Sequence, residues 1–134
     1  MKRYVEKRLE EWLKDDRRKP LVIRGARQVG KSTLVRLFAE EHDLTLHEVN
    51  LEKHLRLTDL FTSHDTQRIL NDLAYVCQKG PIDKKGGILF LDEIQSVPIA
   101  IQTLRYFYED FPELPVIAAG SLLEFSLSKH SYSM

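Results

Sequence analysis

The hydrophobic positions along this chain change period several times, and each change marks an element. From about residue 3 to 15, Val5, Leu9, Trp12 and Leu13 recur on one helical face with charged residues between them, predicting an amphipathic N-terminal helix. Glu10 and Lys14 stand in the favourable i,i+4 order on its polar side. Pro20 ends that segment, and Leu21-Val22-Ile23 reads as a short buried strand. Helical spacing returns over 33 to 41, where Leu34, Val35, Leu37 and Phe38 make a packing face. Leu44 to Leu51 alternates apolar with polar residues, as expected of a second strand near a sheet edge. Residues 52 to 64 carry no clear period. Ser63 or Asp65 is placed to cap a helix whose face is Ile69, Leu70, Leu73, Val76 and Cys77.

After the turn residues Gly80-Pro81 and Gly86-Gly87, the run Ile88-Leu89-Phe90-Leu91 is apolar throughout. It is short enough for a strand buried on both faces of a parallel sheet. A helix follows Pro98, with Ile101, Leu104 and Tyr108 spaced for burial, and Phe111-Pro112 stops it. Val116 to Ala119 gives a fourth strand, ending at Gly120-Ser121. Strands alternating with helices predict an α/β, three-layer fold with a mostly parallel sheet. The 134 residues, 43% of them apolar, suit a single domain over 1–134: the N-terminal helix, then a core from residue 20 onward.

Two motifs bring chemistry into this frame. Gly25-Ala26-Arg27-Gln28-Val29-Gly30-Lys31-Ser32 has two glycines with four residues between them, then Lys and Ser, between a strand and a helix. The glycines open backbone conformations in which successive N–H groups turn inward on an anion, and the helix adds its unsatisfied N–H groups and dipole. Lys31 supplies charge for β and γ phosphates, Ser32 a hydroxyl for Mg²⁺, and Thr33 a further phosphate hydrogen bond. The pattern names a nucleoside triphosphate as ligand. The second motif is Asp92-Glu93 at the carboxyl end of the apolar strand, where open α/β sheets bind their ligands. Asp92 is placed to hold Mg²⁺ and Glu93 to orient and deprotonate a water aimed at the γ-phosphate.

Weaker candidates stay open. Ser121 suits either a sensing residue near the γ-phosphate or a cap ahead of Leu122. Gln95 suits either a hydrogen bond near the γ-phosphate or a loop or cap position. The five histidines show no ligand spacing and read as surface or packing residues, and the lone Cys77 leaves no intrachain disulfide and reads as packing. Twenty basic and twenty acidic residues give zero net charge, so composition offers no argument for nucleic acid. No apolar stretch approaches the ~20 residues of a membrane span and the charged start is no secretion signal, so a cytoplasmic protein without membrane insertion is expected. A GTPase is disfavoured, since no Asn-Lys-x-Asp sequence follows the loop; no acceptor site or lid marks a kinase.

The segments 25–33, Leu-Asp-Glu-Ile-Gln at 91–95 and Ala-Ala-Gly-Ser-Leu-Leu-Glu-Phe at 118–125 together resemble the AAA+-type P-loop ATPases of bacteria and archaea that carry a C-terminal domain of unknown function. The resemblance covers essentially the whole chain. It implies an ATP–Mg²⁺ site with Lys31 and Ser32 at phosphates and metal, Asp92 on Mg²⁺, Glu93 as catalytic base and Ser121 at the sensor position. It also implies a strand inserted between those bearing the loop and the acids. Members generally continue further, so the chain is expected to be truncated after the fourth core strand, without a fifth strand, an arginine finger or the C-terminal domain. Hydrolysis of ATP to ADP and phosphate is then expected once such elements or a partner complete the unit. The alternative is a nucleotide-binding module with negligible turnover. Self-association or a partner protein is the expected consequence of a phosphate-loop strand left at an uncovered sheet edge.

Overall fold

The computed structural model describes residues 2–15, 17–24, 29–54, 57–63 and 65–120. The element order is α1 (Lys2–Lys14), β1 (Leu21–Arg24), α2 (Val29–Glu41), β2 (Thr45–Asn50), α3 (Thr58–Phe61), α4 (Thr66–Cys77), β3 (Gly87–Asp92), a 3-10 turn (Ile94–Ser96), α5 (Pro98–Asp110) and β4 (Val116–Gly120). The four strands form one all-parallel sheet in the order β1-β4-β3-β2. β4 is thus inserted between the strand that leads into the phosphate loop and the strand that ends in the two acids, as the resemblance implied.

Alternation along the strands divides the interior into two layers. Ile88, Phe90, Ile117 and Ala119 face one side, where Leu9 and Trp12 of α1 and Val35 and Phe38 of α2 cover them. Leu89, Leu91, Val116 and Ala118 face the other, against Leu70 and Leu73 of α4 and Leu104 and Phe107 of α5. Every residue of β3 and of β4 is buried, the condition their unbroken apolar runs anticipate. The expected burial of Tyr108 is only partial; Phe107, one position earlier, holds the core position. Trp12 also fixes α1 to the linker, since its indole Nε1 donates to the Lys19 carbonyl at 2.6 Å.

The start of α4 is set by local chemistry. Of the two cap candidates, Asp65 is the N-cap: its carboxylate accepts from the Arg68 amide, while the Ser63 hydroxyl accepts from the Asp65 amide. Thr66 then ties the helix start to the far end of α5 through a 2.6 Å bond to Asp110. The unassigned stretch before it contains the single helical turn α3, which buries Phe61. At the entry to β3, the Gly87 amide donates to the Asp83 carbonyl at 2.8 Å, and a Cβ on Gly87 would lie 2.7 Å from that same oxygen. Only glycine allows that approach without displacement.

β2 is an edge strand, as expected, but its alternation shifts phase midway. Leu46 belongs to the layer under α2, whereas Val49 and Leu51 belong to the layer under α4. His47 falls in phase with Val49 and is 1% exposed, and neither of its ring nitrogens has a hydrogen-bond partner among the described residues. Burial, reinforced by the Lys79 ammonium, holds its pKa below the usual histidine value. Because the folded value lies below the unfolded one, the unfolded chain binds the proton more readily. Stability is complete above about pH 6.5 and falls as pH drops through that value, with a limiting slope of about 1.4 kcal/mol per pH unit for the one proton. His47→Leu is expected to remove this dependence between about pH 7 and 5 when both proteins are unfolded in urea. Parallel stability curves for parent and variant would refute it.

Cys77 packs against the same layer and its thiol donates to the Glu48 carbonyl at 3.7 Å. Burial pushes its pKa up to about 11, which suits the packing role expected of it.

Candidate functional site

All four strands run parallel, so their carboxyl ends share one edge of the sheet. In register, Asn50 of β2 stands beside Asp92 of β3, and Arg24 of β1 beside Gly120 of β4. β1 therefore ends at the edge of the sheet where β3 ends in Asp92. Gly25 to Gln28 lie outside the described residues, as does Ser121, directly after β4.

Past the loop, α2 begins at Val29, so Gly30, Lys31 and Ser32 lie in its first turn, earlier than the apolar period alone predicted. That turn carries the unsatisfied N–H groups and the positive end of the helix dipole. The Ser32 hydroxyl donates to Asp92 Oδ2 at 3.1 Å, joining residues 60 positions apart. The other carboxylate oxygen, Oδ1, accepts the Glu93 amide at 2.9 Å. Both acids are largely enclosed, Asp92 being 8% and Glu93 7% exposed. Burial pushes the Asp92 pKa up, opposed by the bonds from Ser32 and from the Glu93 amide.

The donor set suits a hard divalent cation. Adjacent ligands of an octahedron with bonds of 2.0–2.1 Å lie about 3 Å apart, which the Ser32 and Asp92 oxygens match at 3.1 Å. One hydroxyl and one carboxylate leave most of the coordination sphere to water and phosphate oxygens, the usual way Mg²⁺ is held beside a triphosphate.

Glu93 breaks the strand. Its backbone is left-handed, at φ 53° and ψ 47°, a conformation that costs a non-glycine residue of order 1 kcal/mol or more and persists where the surroundings enforce it. The enforcing bonds are local: Asp92 Oδ1 holds the Glu93 amide, and the Glu93 carbonyl accepts from the Ser96 amide at 3.0 Å to start the 3-10 turn. This reversal also brings Gln95 back, so that its Nε2 donates to Glu93 Oε1 at 2.8 Å. The sequence left Gln95 open between a phosphate neighbour and a loop or cap position; its observed partner is Glu93. A residue two positions from a strand-terminal acid gives no such signal, because the contact exists only through the left-handed turn.

Neighbouring side chains frame the site. Asn50 Oδ1 accepts from the amides of Glu52 and Lys53, ending β2 in a turn. Arg36 of α2 makes a forked pair with Glu48 of β2, both bonds 2.9 Å, holding the helix that carries Lys31 and Ser32 against the sheet. The Glu48 carboxylate holds the Arg36 pKa up, through the hydrogen bond first and charge attraction second.

A family model described as AAA domain matches residues 17–134. No curated protein matches the chain.

Proposed function

We infer the function from membership: the chain belongs to the AAA domain family, an ATPase-like group of nucleotide-binding domains. In this chain the nucleotide is ATP with Mg²⁺, taken up at the carboxyl edge of the sheet, and the chemistry is hydrolysis of the γ-phosphate. The backbone of Gly25, Ala26, Arg27, Gln28, Val29 and Gly30 wraps the phosphates, Lys31 supplies their countercharge and Thr33 a further hydrogen bond. Ser32 and Asp92 hold Mg²⁺, which when bound neutralises charge on the β and γ phosphates. Glu93 accepts the proton of the attacking water. Ser121 lies one residue beyond β4 in the sequence, at the sensor position. The observation that carries the reading is the Ser32–Asp92 hydrogen bond, which unites two motifs recognised separately in the sequence.

No helix among the described residues is long and apolar enough to cross a membrane, and the reading needs no membrane.

Melting tests this reading. With ATP and Mg²⁺ at one hundred times the dissociation constant, the folded chain gains about 2.7 kcal/mol, roughly 10 °C for a domain of this size. Chelating the metal removes most of the gain, and Asp92→Asn behaves in Mg²⁺ as the parent does in chelator. A shift that ignores both the metal and Asp92, or no shift at all, contradicts the reading.

A further inference from the structure

We propose that Gln95 is a positioning residue for Glu93, holding the carboxylate in the orientation from which it takes a proton from water. The proposal rests on the reading of Glu93 as the base and goes beyond it by assigning what aims that base.

Residues two apart do not face each other on a helix, and a strand's end gives them no reason to meet. Here they meet because Glu93 is left-handed and Ile94–Ser96 form a 3-10 turn. The Glu93 backbone is anchored at both ends, its amide on Asp92 Oδ1 and its carbonyl on the Ser96 amide. The Gln95 amide supplies the third anchor, at the tip of the side chain, 2.8 Å from Oε1. An ionised carboxylate only accepts, so the NH₂ end of Gln95 must be the one that faces it. That fixes the Gln95 Oε1 atom on the opposite side, where it is fully buried and has no hydrogen-bond partner among the described residues. A buried acceptor without a partner is a cost, and a methionine of similar length would avoid it. Packing gives no reason for a glutamine here; the charge-assisted bond to Glu93 does. With its carboxylate pinned, Glu93 needs no side-chain ordering at the moment of reaction, the kind of misplacement that slows catalysis without weakening binding.

The test uses Gln95→Met, Gln95→Glu and Glu93→Gln in the same chain. Gln95→Met is expected to lower single-turnover hydrolysis by roughly ten- to a hundredfold and leave ATP–Mg²⁺ affinity within about twofold. Gln95→Glu keeps the shape but sets a second carboxylate against the first, so it slows hydrolysis at least as much; a packing role predicts that it is harmless. In the Glu93→Gln background, Gln95→Met adds no further loss, since the residue it acts through is already gone. An independent readout needs no nucleotide: the side-chain amide resonances of Gln95 are expected to move when Glu93 is replaced by Ala. Equal slowing in both backgrounds, or a loss of affinity as large as the loss of rate, overturns the proposal. A parent that hydrolyses no ATP while those resonances still move overturns the reading of this chain as an ATPase, and aiming of a base with it. Resonances that stay in place remove the Gln95–Glu93 contact whatever the parent does.

Discussion

Glu93→Gln is expected to cut single-turnover ATP hydrolysis by about 10²–10⁴-fold, roughly 2.7–5.5 kcal/mol of barrier, while ATP binds about as tightly as to the parent. The substitution keeps size and polarity, and the carbonyl of the new amide can still accept the Gln95 bond that Glu93 Oε1 accepts now. What it removes is basicity. The anchors on the Glu93 backbone, from Asp92 Oδ1 and to the Ser96 amide, do not involve its side chain, so the left-handed turn survives the change. Phosphoryl transfer needs little covalent help beyond a positioned nucleophile and compensated charge, so a deficit confined to the rate identifies the group that activates water. An unchanged rate in an active parent would assign the base to another residue.

The largest expected effect on binding comes from Lys31→Ala. A charge-assisted bond to phosphate is worth about 1.5–3 kcal/mol, so affinity for ATP–Mg²⁺ is expected to fall at least tenfold, taking most of the melting shift with it. The melting temperature of the variant without nucleotide is its own baseline, and local helix chemistry favours the change. Lys31 lies in the first turn of α2, where a cation opposes the helix dipole and alanine is a better helix former. A variant that melts like the nucleotide-free parent and no longer responds to ATP therefore reports on the ligand and not on folding. A variant that keeps the parent's response locates the triphosphate elsewhere.

The legible parts of this chain were those whose signal is local or strictly periodic. The phosphate loop is contiguous, and the apolar run ending at Asp92 could only be a strand buried on both faces, as β3 is. The position of β4 between β1 and β3 came from resemblance, because periodicity identifies strands and not their order. β2 shows how alternation can mislead: Leu46 and Val49 sit on opposite faces, so a pattern read as that of a strand near a sheet edge covers two partial cores and encloses His47. Ser63 and Asp65 were equivalent as cap candidates in sequence, and the extended backbone of Asp65, with its bond from Arg68, distinguishes them. The left-handed turn at Glu93 could not be read at all. Glutamate has no preference for that conformation, and the bonds that enforce it come from Asp92 and Ser96, whose geometry exists only once β3 is in the sheet. The Gln95–Glu93 contact depends on that turn and was hidden with it.

Calorimetric titration of ATP in the presence of Mg²⁺ into the parent chain and into Lys31→Ala tests the central claim most directly. One site per chain in the parent, with affinity at least tenfold weaker in the variant, is the result the account predicts. Superimposable isotherms for the two proteins, or no binding to the parent, would contradict it.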